Sequence, residues 1–193
     1  MPETVRRINR EAISYNKLTS ITFSRKCKGS DAFIKNCNSL QSIIFPDSVD
    51  VIGDYNGSDV VHWDLSCLTT VKLPKYVKKI ICTAFQRICI KELELPNGLE
   101  SIEYRAFSHC KELTKVILPE TLTSVSWEAF SNCEKLRAIY CYAKAPRFEF
   151  APFIYAGPKQ KCIISEIHVP RGCKAAYENS DWKHGDVKII DDL

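Results

Sequence analysis

The chain has 193 residues, of which 45% are apolar and 26% charged, a balance typical of a folded globular domain and not of a disordered chain. Its net charge of +4 is spread without a long Lys/Arg run, so we expect no nucleic-acid partner. No stretch approaches the roughly 18 apolar residues of a membrane span, and the N-terminus lacks the apolar core of an export signal.

A repeat dominates the sequence, and residues 113–136 form one complete copy of it. Consecutive leading aliphatic residues are 23 positions apart from Ile90 to Leu113 and from Leu113 to Leu136. The strand-ending proline recurs at Pro46, Pro74, Pro96 and Pro119; an Ala-Phe pair at Ala32-Phe33, Ala84-Phe85, Ala106-Phe107 and Ala129-Phe130; and a cysteine at Cys37, Cys67, Cys89, Cys110 and Cys133. Such a period is typical of a solenoid.

Each part of the repeat predicts a local structure. The alternation over 115–118 is typical of a short strand, which Pro119 ends because proline has no N–H for the sheet ladder. The spacing of Ala129, Phe130 and Cys133 favours a single helical turn with one buried face. One coil cannot bury its inward residues alone, whereas stacked coils can. The sequence therefore predicts an α/β solenoid with a parallel β-sheet of short strands and short helical turns.

We assign residues 1–140 to the solenoid and 141–193 to a C-terminal capping region. The first coil is partial, and two explanations compete: a natural half-coil that acts as a cap, or upstream residues, including an export signal, that this chain lacks. The second coil, Leu40 to Cys67, carries an insertion at 53–59 whose Gly, Asn and Asp residues predict a loop. Its aspartates lack calcium-loop spacing, so we predict no metal site.

The capping region begins where the repeat decays after Leu136. It contains an aromatic loop, a strand near 166–169 that is stopped by Pro170, a short helix near 174–178 and a last strand near 187–190. Terminal coils need such cover because their core would otherwise be exposed. The aromatic loop holds Phe148, Phe150, Phe153 and Tyr155.

The repeat L-x-x-I-x-L-P-x-x-L-x-x-I-x-x-x-A-F-x-x-C resembles the BspA-like leucine-rich repeats of bacterial surface proteins. The tail from Ile167 to Tyr177, with Trp182 after it, is similar to the terminal cap of members from gut and oral Bacteroidetes. The resemblance implies a curved, right-handed solenoid, export or surface display, adhesion to host or matrix proteins, and no catalytic residue. The degenerate second repeat and the missing export signal depart from the family pattern.

The five repeat cysteines share one position, where we expect a small apolar residue to point into the core. Inward packing accounts for them better than disulfides or zinc, since no C-x-x-C occurs. Among the cysteines off this position, the redox state of four stays open: Cys27, Cys141, Cys162 and Cys173. A disulfide between Cys162 and Cys173 is the minority alternative.

No catalytic or cofactor motif occurs in the sequence, with neither G-x-S-x-G nor a Gly-rich phosphate loop. His109 precedes Cys110, yet a surface position on its turn suits it better than a role as a base. We therefore predict no enzyme activity and no cofactor; a thiol enzyme would need an exposed cysteine with a depressed pKa.

The remaining candidate is the outer face of the sheet, since residues that flank the central aliphatic of each strand point away from the core. Before it come Ser20, Ser42, Thr70, Glu92, Lys115 and Ala138; after it come Thr22, Ile44, Lys72, Glu94, Ile117 and Tyr140. We predict a protein-binding face made of Thr70, Lys72, Glu92, Glu94, Lys115, Ile117 and Tyr140, with Tyr140 as its anchor. The alternative is a weakly decorated solvent face.

These features predict a non-catalytic protein-binding module that acts as a monomer. By resemblance it is surface-displayed or secreted and recognises a host or matrix protein, although the missing signal leaves a cytoplasmic location open. The alternative is a structural spacer, a fragment of a longer repeat array without its own ligand.

Overall fold

The computed structural model describes residues 13–14, 17–23, 34–35, 37–53, 65–144, 147–148, 164–183 and 185–193. Most of the predicted first coil, the insertion beyond Gly53, Cys27, Cys162 and all aromatic side chains of the predicted loop lie outside these ranges. Within the described part of the chain, no helix has the length and apolar character needed to cross a membrane.

Fifteen short strands and one short helix make up the regular structure of the described residues. The strands are β1 (Ile13–Ser14), β2 (Ser20–Thr22), β3 (Ile34–Lys35), β4 (Ser42–Ile44), β5 (Val51–Ile52), β6 (Thr70–Lys72), β7 (Lys79–Ile80), β8 (Glu92–Glu94), β9 (Ser101–Ile102), β10 (Lys115–Leu118), β11 (Ser124–Val125), β12 (Ala138–Cys141), β13 (Arg147–Phe148), β14 (Glu166–Val169) and β15 (Lys188–Asp191), and the helix is α1 (Lys174–Glu178). Every strand pairing among them is parallel, which confirms the predicted solenoid.

Thirteen of these strands form two parallel stacks along the solenoid, and β1 and β3 pair separately. The first contains the predicted strand of each repeat, in the orders β2-β4-β6 and β8-β10-β12-β14-β15. The second contains the shorter strands that follow the proline, in the order β5-β7-β9-β11-β13. In β10, Val116 and Leu118 are buried while Lys115 and Ile117 are half-exposed, so alternate residues of the strand face the core and solvent.

The first stack divides between β6 and β8, which the repeat did not lead us to expect. In this coil only one residue separates Ile88 from the leading Ile90, whereas two separate Cys110 from Leu113. The coil thus reaches its strand one residue early, and the hydrogen-bond ladder is interrupted there. Val71, at the centre of β6, is only partly buried as a result. The second stack crosses the division through the pairing of β7 with β5 and β9, so the coils remain stacked.

The Ala-Phe segments form consecutive turns and not the helical turn that the spacing favoured. In the coil that begins at Ile90, the Ala106 amide donates to the Glu103 carbonyl and the Ser108 amide donates to the Arg105 carbonyl, both at 3.1 Å. Arg105 and His109 have φ of 53° and 61°, a left-handed conformation that no helix contains. This geometry turns the intervening amide of Phe107 toward the next coil.

The core is a continuous file of side chains in which one residue type forms a spine. Phe85, Phe107 and Phe130, each at most 1% exposed, stack with ring centroids 5.4 Å apart in both pairs. Phe45 meets Phe85 edge-on at 6.2 Å and stacks on Phe23 at 5.6 Å, which extends the spine toward the N-terminus. The predicted inward direction is therefore confirmed for three of the Ala-Phe pairs, whereas Ala32-Phe33 lies outside the described residues.

The prediction that all five repeat cysteines point inward is wrong for two of them. Cys37, Cys110 and Cys133 are buried, but Cys67 is exposed and Cys89 only partly buried. The inward position in those two coils holds a larger aliphatic residue instead: Leu65 and Ile88, which are 0% and 1% exposed.

The buried cysteines carry out one further task, since each thiol donates a hydrogen bond to a carbonyl in the preceding coil. The distances from Sγ to O are 2.8 Å for Cys37 to Ile13, 3.3 Å for Cys110 to Phe85 and 3.2 Å for Cys133 to Phe107. A thiol at this position therefore packs as a small apolar group while it also links neighbouring coils.

The C-terminal region docks on the solenoid through two buried aromatic residues. Tyr177 and Trp182 are 0% and 1% exposed, with ring centroids 5.1 Å apart. The Tyr177 hydroxyl donates to the Ala143 carbonyl at 2.6 Å and lies 3.2 Å from Cys141 Sγ. Cys141 and Cys173 are free thiols.

Candidate protein-binding face

The strand register places five of the predicted site residues side by side. Lys115 is paired with Glu92, and Ile117 with Glu94, while Tyr140 is paired with Ile117. All five lie on the solvent side of the sheet that runs from β8 to β15, and we call this surface the outer face. Glu92 and Glu94 are exposed, and the other three are half-exposed.

The other two predicted residues lie on a different sheet. Thr70 and Lys72 belong to β6, whose neighbour is β4, and Lys72 is paired with Ile44. The expected row that joined Lys72 directly to Glu94 is therefore interrupted by the division between β6 and β8. Both residues are exposed, but the hydrogen-bonded register does not hold them beside Glu92 and Glu94.

The ring of Tyr140 is held between two neighbours on adjacent strands. Lys115 Nζ lies 4.8 Å from the centroid of the Tyr140 ring on one side, a cation–π contact. The imidazole of His168 stacks on the other side, with ring centroids 4.3 Å apart and an angle of 7° between the planes. Tyr140 is thus half-exposed and yet fixed in orientation.

His168 is a residue of this face that the sequence analysis did not include. It extends the row, because β14 pairs Tyr140 with His168 in the parallel register. Its Nδ1–H donates to the carboxylate of Asp192, 2.9 Å from Oδ1, and its Nε2 lies 3.4 Å from Glu166 Oε1. The C-terminal strands therefore fix the ring on which Tyr140 rests.

Charges alternate along the neighbouring row of the outer face. Glu92, Lys115 and Ala138 precede Glu166 in register, and Glu166 is paired with Lys188 in β15. The face thus combines an aromatic and aliphatic row with a row of both charge signs. Such mixtures are typical of surfaces that recognise proteins, in which an apolar anchor is bordered by polar groups.

A groove of about 360 Å³ opens where the strands of the outer face reach their prolines. Glu94 and Ile117 of the outer face border it, and the rest of its lining is Leu95, Asn97, Pro119, Glu120 and Tyr142. The sequence analysis placed Glu94 and Ile117 on the face but did not foresee the groove, because the turn after Pro119 forms its other side.

The thiols of the described residues are poor candidates for covalent chemistry. Burial raises the pKa of the Cys110 thiol well above 9.0, and it raises the pKa of Cys141 to about 11. Burial is also the first cause of the raised pKa values of Cys82 and Cys89. A thiol nucleophile needs the opposite shift.

His109 and Glu128 are the two candidates for a general acid or base, and each already has a side-chain partner. Burial, and then Arg87 and other nearby cations, lower the pKa of His109, and its Nε2 lies 3.2 Å from Asn132 Nδ2. The buried carboxylate of Glu128 pairs with Arg105 Nε at 2.5 Å. Within the described ranges, no group of three or more His, Cys, Asp or Glu residues is placed to hold a metal ion.

Solved structures with this architecture include three proteins similar to this chain. A leucine-rich repeat protein from Bacteroides ovatus is 24% identical, with a TM-score of 0.62 over 97% of this chain and 55% of that one. The pneumococcal vaccine antigen PcpA is 15% identical, with a TM-score of 0.65 over 96% and 46%. The leucine-rich repeat protein TpLRR from T. pallidum is 18% identical, with a TM-score of 0.57 over 96% and 78%.

These likenesses show the fold alone, and the chain spans about half the length of the first two proteins. The comparison with curated proteins found no match. The family model described as the BspA type leucine rich repeat region matches residues 1–60 and 62–180 in six copies. That match covers nearly the whole sequence and includes every coil of the fold described above. The chain therefore belongs to the BspA-type leucine-rich repeat family.

Proposed function

We propose that this chain is a non-catalytic module that binds a protein partner on the outer face of its five-stranded sheet. The observation that carries the proposal is the fixed position of Tyr140 between Lys115 and His168. A large side chain that is ordered before binding loses little rotamer entropy when a partner covers it. Tyrosine is also among the residues that dominate the binding energy of protein interfaces.

The surroundings of Tyr140 support the same proposal. Ile117 adds half-exposed apolar area directly beside it, and Glu92, Lys115 and Glu166 supply both charge signs along the next row. This pattern matches an interface with an apolar centre and a polar rim. The upward pKa shifts of the thiols favour a binding role over a thiol enzyme.

The compartment and the partner class follow from the family resemblance. We propose that the module is displayed on a cell surface or secreted, that it acts as a monomer, and that its partner is a host or matrix protein. The predicted residues Thr70 and Lys72 lie on the adjacent sheet and extend the contact area only for a partner that crosses the division.

The test uses purified chain and a panel of immobilised matrix proteins that includes fibronectin, laminin and collagen, with binding measured by biolayer interferometry. We expect saturable binding to at least one of them and a loss of at least about tenfold in affinity for Tyr140→Ala, since truncation of an interface anchor costs at least about 1.4 kcal/mol. Tyr76→Ala is the matched control, because Tyr76 is 60% exposed and lies outside the outer face.

Two results would contradict the proposal. Equal effects of the Tyr140 and Tyr76 substitutions would remove the outer face from the binding surface. Absence of binding across the panel would contradict matrix adhesion and would favour the structural-spacer alternative. Circular dichroism spectra and melting temperatures of both variants would show whether a loss of binding reflects a loss of folding.

A further inference from the structure

The groove at the proline end of the outer face combines apolar, acidic and aromatic residues. It opens between the end of β8 and the end of β10, with Leu95 and Pro119 as buried apolar wall residues. Two carboxylates, those of Glu94 and Glu120, border it. The chain as a whole carries a net charge of +4, so the groove is a local site of negative charge on a basic protein.

Neither carboxylate is neutralised by a neighbour in the described part of the chain. Among the described residues of the solenoid, the ion pairs between coils involve other glutamates, for example Lys78 with Glu100 and Lys135 with Glu112, both at 2.7 Å, and Arg105 with Glu128. Glu94 and Glu120 take no part in these pairs, and both side chains are exposed. A cation brought into the groove would therefore meet two carboxylates without displacing an existing partner.

The third component of the groove is aromatic. Tyr142 is 46% exposed, which leaves a large part of its side chain accessible to a ligand. Its amide donates to the Leu118 carbonyl at 3.0 Å, so the backbone beneath it is anchored on β10. A planar guanidinium pairs with carboxylates through several N–H groups and also stacks on aromatic faces, whereas an ammonium acts as a point charge.

We propose that this groove takes a basic side chain, preferentially arginine, from a partner segment that lies along the outer face. This inference rests on the proposed function and deepens it, because Ile117 belongs to both the outer face and the groove. A segment whose apolar residues cover Ile117 and Tyr140 places its next side chain at the end of β10, where the groove begins. The two carboxylates then select for positive charge at that position of the partner.

The probe is the capped tripeptide acetyl-Leu-Arg-Leu-amide, and its control is the same peptide with citrulline, which keeps the shape of arginine without its charge. Both are titrated into ¹⁵N-labelled chain and followed by two-dimensional NMR. We expect saturable shifts of the Leu95, Glu120 and Tyr142 amides with the arginine peptide, at millimolar affinity, and at least fivefold weaker binding of the citrulline peptide. The double variant Glu94→Gln/Glu120→Gln should weaken arginine binding at least fivefold.

The matched control variant is Glu134→Gln, which removes one exposed carboxylate outside both the outer face and the groove, and it should leave peptide affinity within twofold. Equal affinity of the two peptides, or an unchanged affinity of the double variant, would overturn charge recognition in the groove. Absence of peptide shifts, together with matrix-protein binding that depends on Tyr140, would overturn the groove alone and leave the proposed function intact. Loss of Tyr140-dependent binding would instead contradict the proposed function.

Discussion

Gly53 is the last described residue at the start of the predicted insertion, and a single methyl group there should destabilise the fold. Its φ is +120°, a conformation that residues with a side chain rarely adopt. A Cβ at this position would lie 2.5 Å from Ile81 Cγ1 and 2.9 Å from the Ile81 carbonyl oxygen. The oxygen cannot move freely, because the amide of Ile81 donates to the Ile52 carbonyl at 2.8 Å and fixes the local backbone.

Gly98 allows the two costs of Gly53→Ala to be separated. It has a similar φ of +111°, but a Cβ there would meet nothing closer than the Lys75 carbonyl oxygen at 3.9 Å. Backbone strain costs about 1–3 kcal/mol at either site, and both variants gain about 0.4–1 kcal/mol from a less flexible unfolded chain. Only Gly53→Ala adds overpacking, which costs about 1–3 kcal/mol.

The free energies of unfolding are measured in urea by circular dichroism for wild type, Gly53→Ala and Gly98→Ala. We expect Gly53→Ala to lose about 1–3 kcal/mol more than Gly98→Ala, which lowers its midpoint by a further 0.5–1.5 M or so at a slope of about 2 kcal/mol per M. Equal losses would refute the steric argument and show that backbone conformation alone makes glycine necessary at position 53.

Three further predictions concern the core and the docked C-terminal region. Tyr177→Phe removes the hydroxyl that donates to Ala143 and should cost about 1–3 kcal/mol in urea unfolding, because it leaves a buried carbonyl with one partner fewer. Phe107→Ala interrupts the aromatic spine and should cost about 3–5 kcal/mol, more than Phe107→Leu in the same assay. Burial raises the pKa of Cys141 from 9.0 to about 11, so the thiol of the unfolded chain ionises first and the free energy of unfolding should fall as pH rises from 9 to 11. Urea midpoints measured at pH 8 and 10.5 test this, and a Cys141→Ala variant should show a smaller fall between the two pH values.

The repeat was sufficient to predict the solenoid because each marker has a single structural solution when it recurs at a fixed period. Alternation over 115–118 requires a strand with one buried side, and stacking of such strands requires a parallel sheet. Proline at position 119 sets the end of the strand. These local requirements agree with one another in the two regular coils from Ile90 to Leu136, so the core residues there were predictable without any knowledge of long-range contacts.

The position of the cysteines shows where residue identity was a weaker guide than spacing. Cys89 resembles the repeat cysteines by type, but the residue four positions after Ala84 is Ile88, and Ile88 occupies the core. Likewise Leu65 lies three residues before Leu68, the same interval that separates Cys110 from Leu113. Counting from the flanking markers, instead of from the nearest cysteine, would have found both positions.

The division of the sheet between β6 and β8 also has a signal in the sequence, which is the single residue between Ile88 and Ile90. The effect of this shortening on the sheet was not predictable. A shortened coil can either strain the hydrogen bonds between its strand and the preceding strand or interrupt them, and which of the two occurs depends on how the neighbouring coils pack. The chain interrupts the ladder at β6 and keeps the second stack continuous. The outer face therefore loses Thr70 and Lys72 as direct neighbours of Glu92 and Glu94.

His168 was not predicted to belong to the outer face, because residues beyond 140 were assigned to a cap and the predicted rows of the face ended at Ala138 and Tyr140. The segment Ile167-His168-Val169-Pro170 nevertheless repeats the pattern Val116-Ile117-Leu118-Pro119, in which alternation places the residue between two core residues on the other side of the strand. Position alone thus places His168 in register with Ile117 and Tyr140.

The C-terminal region has two roles that cannot be separated, because the strands that close the core also complete the outer face. Tyr177 and Trp182 bury themselves against the last coil, which holds β14 and β15 in the sheet. Asp192, just beyond β15, then fixes the imidazole of His168, on which the ring of Tyr140 rests. Any change that loosens this docking therefore affects the orientation of Tyr140 as well as stability. The repeat array supplies the rows of side chains, and the terminal strands determine how rigidly the anchor of those rows is held.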